Sequence, residues 1–229
     1  MSSKRDNLVV FDWNGTIVAD TAACLNATNT VLKKLDLKPA TIAQFRHHYT
    51  MPISKLYHAL GMDGALLDKH EHIVKPLWHE SYGAARLRLR RGARQMFAAM
   101  QSAACESIVV SNYTVNGINA QAQKFGVRPY FSDIIAYEIG DTNFRRKGKG
   151  ARLKEYLQTK PARKAMIVGD SEEEVEIGRE LGMTTVAITD GMCSTARLRA
   201  MKPDYLVRSL TQVPAIAQHL FGTTARVAL

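Results

Sequence analysis

Hydrophobic residues first cluster over four positions near the start of the chain, at Leu8–Phe11, and a polar turn follows directly. A short apolar run of this kind predicts a buried strand. Over residues 20–37 the spacing of the apolar residues changes to that of one helix face, as at Ala23, Ala27 and Val31. The pattern there predicts an amphipathic helix.

Helical spacing continues through a stretch with no strand pattern, in the segments 42–48, 53–60 and 65–85. Pro52 and the segment Gly61–Gly64 interrupt it. This all-helical stretch lies between the first strand and the next one. We therefore expect residues 19–85 to form an inserted helical cap, and residues 1–18 and 86–229 to form the core that carries it.

Helix and strand patterns alternate through the rest of the chain. The predicted strands are 107–110, 134–137, 165–168, 184–188 and 204–207. The predicted helices are 93–102, 115–125, 149–157, 172–181 and 213–220. Strands separated by helices favour a parallel sheet with helices on both faces. The sequence thus predicts an α/β fold: a mainly parallel, Rossmann-like sheet plus an inserted all-helical cap.

Composition places few further limits on the chain. It has 229 residues and is 46% hydrophobic, which is enough to bury a substantial core. No apolar run approaches the roughly 20 residues that span a bilayer, and no secretory segment precedes the first strand. The three cysteines are widely spaced and show no metal-ligand pattern. We therefore expect a cytoplasmic protein without a membrane partner.

The chain is basic, with a net charge of +10. Its positive residues are scattered, and no basic arm or nucleic-acid module accompanies them, so a nucleic-acid partner is not expected. A solvated basic surface accounts for the charge, as does a surface that attracts small phosphorylated anions. The oligomeric state stays open.

Polar residues follow three of the predicted strands. Asp12 follows the first strand and leads into the turn Asn14-Gly15-Thr16, and Ser111-Asn112 follows the second. Gly169-Asp170 follows the fourth strand, with Glu174 in the helix that begins there. Each group alone is also typical of a turn or a helix cap. Together they lie where open parallel sheets bind ligands, at the carboxyl ends of strands.

In this order the residues resemble the motifs of the haloacid dehalogenase (HAD) superfamily, and the resemblance covers the whole chain. The phosphatases of that superfamily have Asp-x-Asp-Gly-Thr in their first motif, which matches here at Asp12, Gly15 and Thr16. The resemblance implies that Asp12 is the nucleophile and forms an aspartyl-phosphate. It also implies that Gly15, Thr16, Ser111 and Asn112 bind the phosphoryl group.

The resemblance further implies a Mg²⁺ cofactor. Asp12, Asp170, Glu174 and the backbone carbonyl of Asn14 would supply the hard oxygen ligands that this ion prefers. Glu174 would bind either directly or through a water molecule.

A lysine near the nucleophile is also implied, to neutralise the charge gathered from carboxylate and phosphate. Lys149 is preferred because it opens a Lys-Gly-x-x-Leu sequence at a helix start, as in HAD phosphatases. Lys147 is the alternative, because its distance from Asp170 along the chain fits slightly better.

Asn14 departs from the motif, because HAD phosphatases have an acid–base aspartate at this position. An amide can neither donate a proton as an acid nor accept one as a base. Losing such a group typically costs about 10²–10⁴-fold in rate. Alkyl phosphates would suffer most, whereas aryl and acyl phosphates need little protonation of the leaving group. The expected enzyme is a phosphatase similar to phosphoglycolate phosphatases, acting on a small phosphorylated metabolite with an efficiency set by Asn14.

Two other interpretations stay open. Phosphonoacetaldehyde hydrolases have Asp-x-Ala in the first motif and a cap lysine that forms a Schiff base, and here Trp13 and Lys55 resemble that arrangement. Alternatively, the protein binds a phosphorylated ligand or a partner protein with negligible turnover. His47 and His48 are the cap histidines that we expect to face a substrate.

Overall fold

A six-stranded parallel sheet runs through the centre of the protein in the computed structural model, which describes residues 7–101, 105–138, 148–162 and 164–222. Its strands are β1 (Asn7–Phe11), β2 (Cys105–Thr114), β3 (Asp133–Tyr137), β4 (Lys164–Gly169), β5 (Thr184–Ile188) and β6 (Tyr205–Val207). Their spatial order is β3-β2-β1-β4-β5-β6. The strand that delivers Asp12 is therefore central.

The register brings three strand ends to one place. Val10 of β1 aligns with Ile108 of β2 on one side and with Ile167 of β4 on the other. All these strands run in the same direction, so the residues after β1 and β4 meet the last residues of β2 at one edge of the sheet.

Helices cover both faces of the sheet. The helices that follow the first strand are α1 (Thr21–Lys34), α2 (Ile42–His48), α3 (Ser54–Ala59) and α4 (Gly64–Gly83). The remaining helices are α5 (Ala93–Gln101), α6 (Val115–Lys124), α7 (Lys149–Thr159), α8 (Glu172–Glu180), α9 (Thr195–Ala200) and α10 (Val213–Phe221). Successive β1 residues point to opposite faces, so Val9 and Phe11 enter one apolar core while Leu8 and Val10 enter the other. The predicted fold class is confirmed.

Helices α1 to α4 form a second layer with an apolar core of its own. Val31, Leu32, Tyr57 and Val74 are buried together there. The two chain segments that join this layer to the rest of the protein lie side by side. The Ala19 N–H donates to the Arg88 carbonyl at 2.9 Å, and the Arg90 N–H donates to the Ile17 carbonyl at 2.8 Å. This ladder lies close to the predicted cap boundaries of 19–85, which we retain as a proposal.

Two features of the core differ from the sequence prediction. Strand β2 continues to Thr114, so Ser111 and Asn112 lie within it and not after it. The apolar run ends at Val110 because Ser111 and Asn112 are polar, so the pattern did not predict the rest of the strand. Its pairing with β3 is irregular between Val110 and Thr114. Helix α9 was not predicted, because its six residues span too few turns to show a period.

None of the helices within the described ranges is both long enough and apolar enough to cross a membrane.

Candidate active site

The carboxylates of Asp12 and Asp170 follow neighbouring strands and meet across the hydroxyl of Thr16. Oγ1 of Thr16 lies 3.2 Å from Oδ2 of Asp12 and 2.8 Å from Oδ1 of Asp170. The backbone N–H of Asp12 donates to the Val168 carbonyl at 2.9 Å, which holds the turn against β4. Both carboxylates are buried. The structure thus brings together Asp12 and Asp170, two of the acidic residues that the sequence singled out, and Thr16 contacts both carboxylates.

Lys149 places a buried cation against the proposed nucleophile. Its Nζ lies 2.7 Å from Oδ1 of Asp12 and also contacts Oε1 of Glu174. Burial alone disfavours the ammonium, but the Asp12 and Glu174 carboxylates outweigh this effect, so the pKa of Lys149 is raised. Lys147, the alternative from the sequence, lies outside the described residues.

Four buried carboxylates line the same pocket as this single lysine, namely Asp12, Asp170, Glu173 and Glu174. Burial and the neighbouring Glu174 raise the pKa of Asp170 to about 6. The pKa of Asp12 is also raised, chiefly by burial, although Lys149 opposes the shift. The pocket therefore holds more negative charge than its lysine neutralises, and a further cation would relieve the repulsion.

The donor set fits Mg²⁺ only in part. Within the described ranges, no three His, Cys, Asp or Glu side chains are arranged to hold a metal ion. The carboxylates of Asp12 and Asp170 and the backbone carbonyl of Asn14 do suit Mg²⁺, because this ion keeps several waters as its remaining ligands. Glu174 already uses both oxygens: Oε1 contacts Lys149, and Oε2 accepts from the N–H and hydroxyl of Ser171 at 3.0 and 2.6 Å. Its engagement favours a water-mediated role over direct ligation.

The side-chain amide of Asn14 has a defined orientation. Its Nδ2 lies 2.6 Å from Oδ2 of Asp20 and 2.9 Å from the hydroxyl of Tyr82. A carboxylate only accepts hydrogen bonds, so the amide nitrogen belongs on that side. Asn14 also lines the cavity above Asp12. The side-chain carbonyl oxygen of Asn14 is therefore the part of the amide that is left to face the cavity. This oxygen accepts hydrogen bonds and cannot donate them.

Asp20 and Tyr82 are site residues that the sequence analysis missed. Asp20 precedes α1 and resembles an N-cap, yet its side chain makes no capping bond. Instead its Oδ1 accepts from the Gly15 N–H at 2.7 Å, and its Oδ2 accepts from the Tyr82 hydroxyl at 2.6 Å. Tyr82 comes from the end of α4, 62 positions away. Spacing along the chain gives no signal for such a contact.

Gly15 is required by its conformation and its surroundings. Its φ is +76°, in the region that favours glycine, and a Cβ built there would lie 2.2 Å from Oδ2 of Asp170. Its N–H is committed to Asp20. The close approach of Asp170 thus leaves no room for a side chain at position 15 of the turn.

The two residues predicted to bind a phosphoryl group from β2 both line the cavity. Oγ of Ser111 accepts from the N–H of Tyr113 at 3.1 Å. Nδ2 of Asn112 donates to Oε2 of Glu173 at 2.6 Å, and its Oδ1 is buried with no partner among the described atoms. Asn112 therefore links β2 to the acidic start of α8.

Three cap residues predicted to face a substrate are not part of the cavity lining. Lys55 and His47 are exposed, and His48 is half-buried with its ring 4.7 Å from that of His47. The cap instead presents His79 and a set of aromatic and apolar side chains to the cavity. The helical period places a residue on a face, but it does not say which face turns toward the core domain.

A family model described as haloacid dehalogenase-like hydrolase matches residues 9–188. A relative from Chromobacterium violaceum named phosphoglycolate phosphatase is 26% identical over 226 residues, covering 93% of this chain and 97% of the relative.

Solved structures share the fold. A haloacid dehalogenase-like family hydrolase from Streptococcus pneumoniae superposes with a TM-score of 0.76 at 19% identity, covering 93% of this chain and 99% of that one. A protein from Clostridium acetobutylicum described as a "predicted phosphatase" gives a TM-score of 0.78 at 15% identity, with the same coverage.

Proposed function

Because the chain belongs to the haloacid dehalogenase-like hydrolase family, we propose that it is a phosphohydrolase in which Asp12 attacks the phosphorus of a small phosphorylated metabolite. The contact between Asp12 and Lys149, 2.7 Å long in a buried pocket, carries this proposal. It pairs a carboxylate nucleophile with the cation that would balance a bound phosphate. The name of the Chromobacterium relative supports phosphatase chemistry of the phosphoglycolate phosphatase type.

The proposed reaction has two steps. An oxygen of Asp12 forms a bond to phosphorus while the bond to the leaving oxygen breaks, giving an aspartyl-phosphate. The leaving oxygen departs as the anion and takes its proton from water, because Asn14 has none to give. Water then attacks the aspartyl-phosphate, which releases phosphate and restores Asp12. Ser111 and Asn112 line the cavity where the phosphoryl oxygens would lie.

Mg²⁺ is the proposed cofactor. Asp12, Asp170 and the backbone carbonyl of Asn14 would hold it, with Glu174 acting through water. Bound there, the ion would compensate the buried negative charge and polarise a phosphoryl oxygen. A cytoplasmic location is part of the proposal, since Cys24, Cys105 and Cys193 are buried thiols that are not joined in disulfides, as a reducing compartment allows.

A second candidate is a phospho-ligand binder with negligible turnover, and Asn14 is the observation that favours it. Cleavage of a C–P bond through Lys55 has no comparable support, since that lysine is exposed and outside the cavity lining.

Phosphate release from p-nitrophenyl phosphate with Mg²⁺ tests the proposal. Asp12→Asn should lower the rate by at least about 10³-fold, since the covalent route is lost. Asp36→Asn makes the same change at an exposed position after α1 and should have no effect. No release by the unaltered protein, together with a higher melting temperature in phosphate, would favour the binder.

A further inference from the structure

The walls of the cavity above Asp12 are aromatic and apolar. Phe45, Tyr49, Met51, Ile53 and Trp78 of the cap line it, facing Tyr113 of the core. The rings pack in two groups: those of Phe45 and Tyr49 are 5.5 Å apart, while Tyr82 stacks on Trp78 at 4.9 Å and lies 5.6 Å from Tyr113. Such a surface packs well against a ring or hydrocarbon and poorly against an ion.

Positive charge is confined to the cavity floor, at least in the lining that the structure describes. Lys149 is already paired with Asp12 and Glu174. Burial, followed by the nearby Lys75, lowers the pKa of His79, so its imidazole is neutral at pH 7. The described lining therefore holds no spare cation for a second anionic group of a substrate.

Three nearby arginines donate hydrogen bonds to backbone carbonyls. Arg46 donates to the Gly191 carbonyl at 3.0 Å, and Arg152 donates to the Ser111 carbonyl at 2.9 Å. Arg197 donates to the His47 carbonyl at 2.8 Å and pairs with Glu172. None of these three guanidinium groups is part of the described cavity lining, although that of Arg152 lies 3.9 Å from the ring centre of Tyr137, which is.

Asn14 limits the leaving group independently. With both N–H groups turned to Asp20 and Tyr82, the amide offers the cavity an acceptor only. A leaving oxygen that needs a proton would receive none from residue 14. A phenolate is a stable anion and departs without one.

We propose that the natural substrate is a phosphate monoester of an uncharged phenol, whose ring packs against the aromatic cap wall. This proposal rests on the proposed phosphohydrolase activity and names its substrate class. A 2-phosphoglycolate-type substrate would instead place its carboxylate against the apolar cap wall, where no described cation pairs with it.

A panel of four phosphates with Mg²⁺ tests the inference: phenyl phosphate, benzyl phosphate, hexyl phosphate and 2-phosphoglycolate. We expect kcat/KM for phenyl phosphate to exceed that for 2-phosphoglycolate by at least about 100-fold. Benzyl phosphate should show a low KM like phenyl phosphate but a lower kcat, because its ring fits while its alkoxide leaves poorly. If 2-phosphoglycolate is turned over as fast as phenyl phosphate or faster, the proposed substrate class is wrong, but the proposed phosphohydrolase activity stands. No turnover of any ester would overturn both.

A charge placed on the wall gives a second, independent readout. Met51→Arg, in the cavity, should raise kcat/KM for 2-phosphoglycolate by about 10-fold or more, since the carboxylate gains a partner. Ile42→Arg makes a matched change on the outer surface of α2, where Ile42 is 40% exposed, and should have no effect. Met51→Lys is measured alongside, and thermal melts identify any variant that fails to fold. No gain in a folded Met51 variant would contradict the charge argument.

Discussion

Asn14→Asp would place a second carboxylate directly against that of Asp20, and we expect it to destabilise the folded protein. The Asn14 Nδ2 atom lies 2.6 Å from Oδ2 of Asp20, so the substitution turns a donor–acceptor contact into an acceptor–acceptor one. Two unit charges 4 Å apart repel by about 4 kcal/mol at an effective dielectric constant of 20. That energy corresponds to a rise of about 3 units in the pKa of the pair.

The cost should depend on pH with a definite sign. Burial already raises the pKa of Asp20, and the new neighbour raises the pKa of the pair further. A raised carboxyl pKa destabilises the fold once pH exceeds the unfolded value, and the loss is complete above the folded value. At about pH 8 we expect a penalty of about 3–4 kcal/mol, and at about pH 5 much less. For a chain of this size this corresponds to a fall of about 10 °C in melting temperature at the higher pH.

The double variant Asn14→Asp/Asp20→Asn should restore most of that stability. The asparagine introduced at position 20 would keep its oxygen on the Gly15 N–H and donate its amide to the aspartate introduced at position 14, so the same hydrogen bonds form in reverse. Thermal melts of the four proteins form a double-mutant cycle that isolates the coupling. The reasoning is refuted if Asn14→Asp has the same melting temperature as the unaltered protein at the higher pH. It is also refuted if the double variant melts no higher than the single one.

Three further outcomes follow from the same geometry. Asp170→Asn should abolish the rise in melting temperature that Mg²⁺ produces, whereas Asp36→Asn should keep it; a retained rise in Asp170→Asn would place the metal elsewhere. Lys55→Ala should release phosphate like the unaltered protein, and a borohydride-trapped adduct at Lys55 with phosphonoacetaldehyde would instead revive C–P cleavage. The double variant at positions 14 and 20 should hydrolyse hexyl phosphate about 10²-fold faster than the unaltered protein, provided that peptide mass analysis shows Asn14 of the latter to be intact and not deamidated.

The sequence was most informative where side chains repeat with a fixed period. The alternation of apolar runs and amphipathic stretches predicted the parallel sheet, and the residues after β1 and β4 predicted the pairing of Asp12 with Asp170. Both inferences use local pattern plus one topological rule, that parallel strands end at the same edge. Motif order added Lys149, which the structure places at hydrogen-bond distance from Asp12.

The contacts between cap and core could not be predicted in this way. The sequence analysis did not single out Asp20, because an aspartate just before a helix is typical of an N-cap. Only its distance to Tyr82 shows what it binds. Lys55 looked functional because of a partial motif, yet the helix that carries it turns the lysine to the surface. Which side of a cap faces the core depends on packing between distant segments, and no local period encodes that.

Trapping the covalent intermediate tests the central claim most directly. The protein is mixed with phenyl phosphate and Mg²⁺, quenched in acid during turnover and digested for peptide mass analysis. We predict one phosphoryl group on Asp12, accumulating because Asn14 cannot activate the water that removes it, and none in Asp12→Asn. Turnover without any phosphorylated peptide, or a label that persists in Asp12→Asn, would contradict the account.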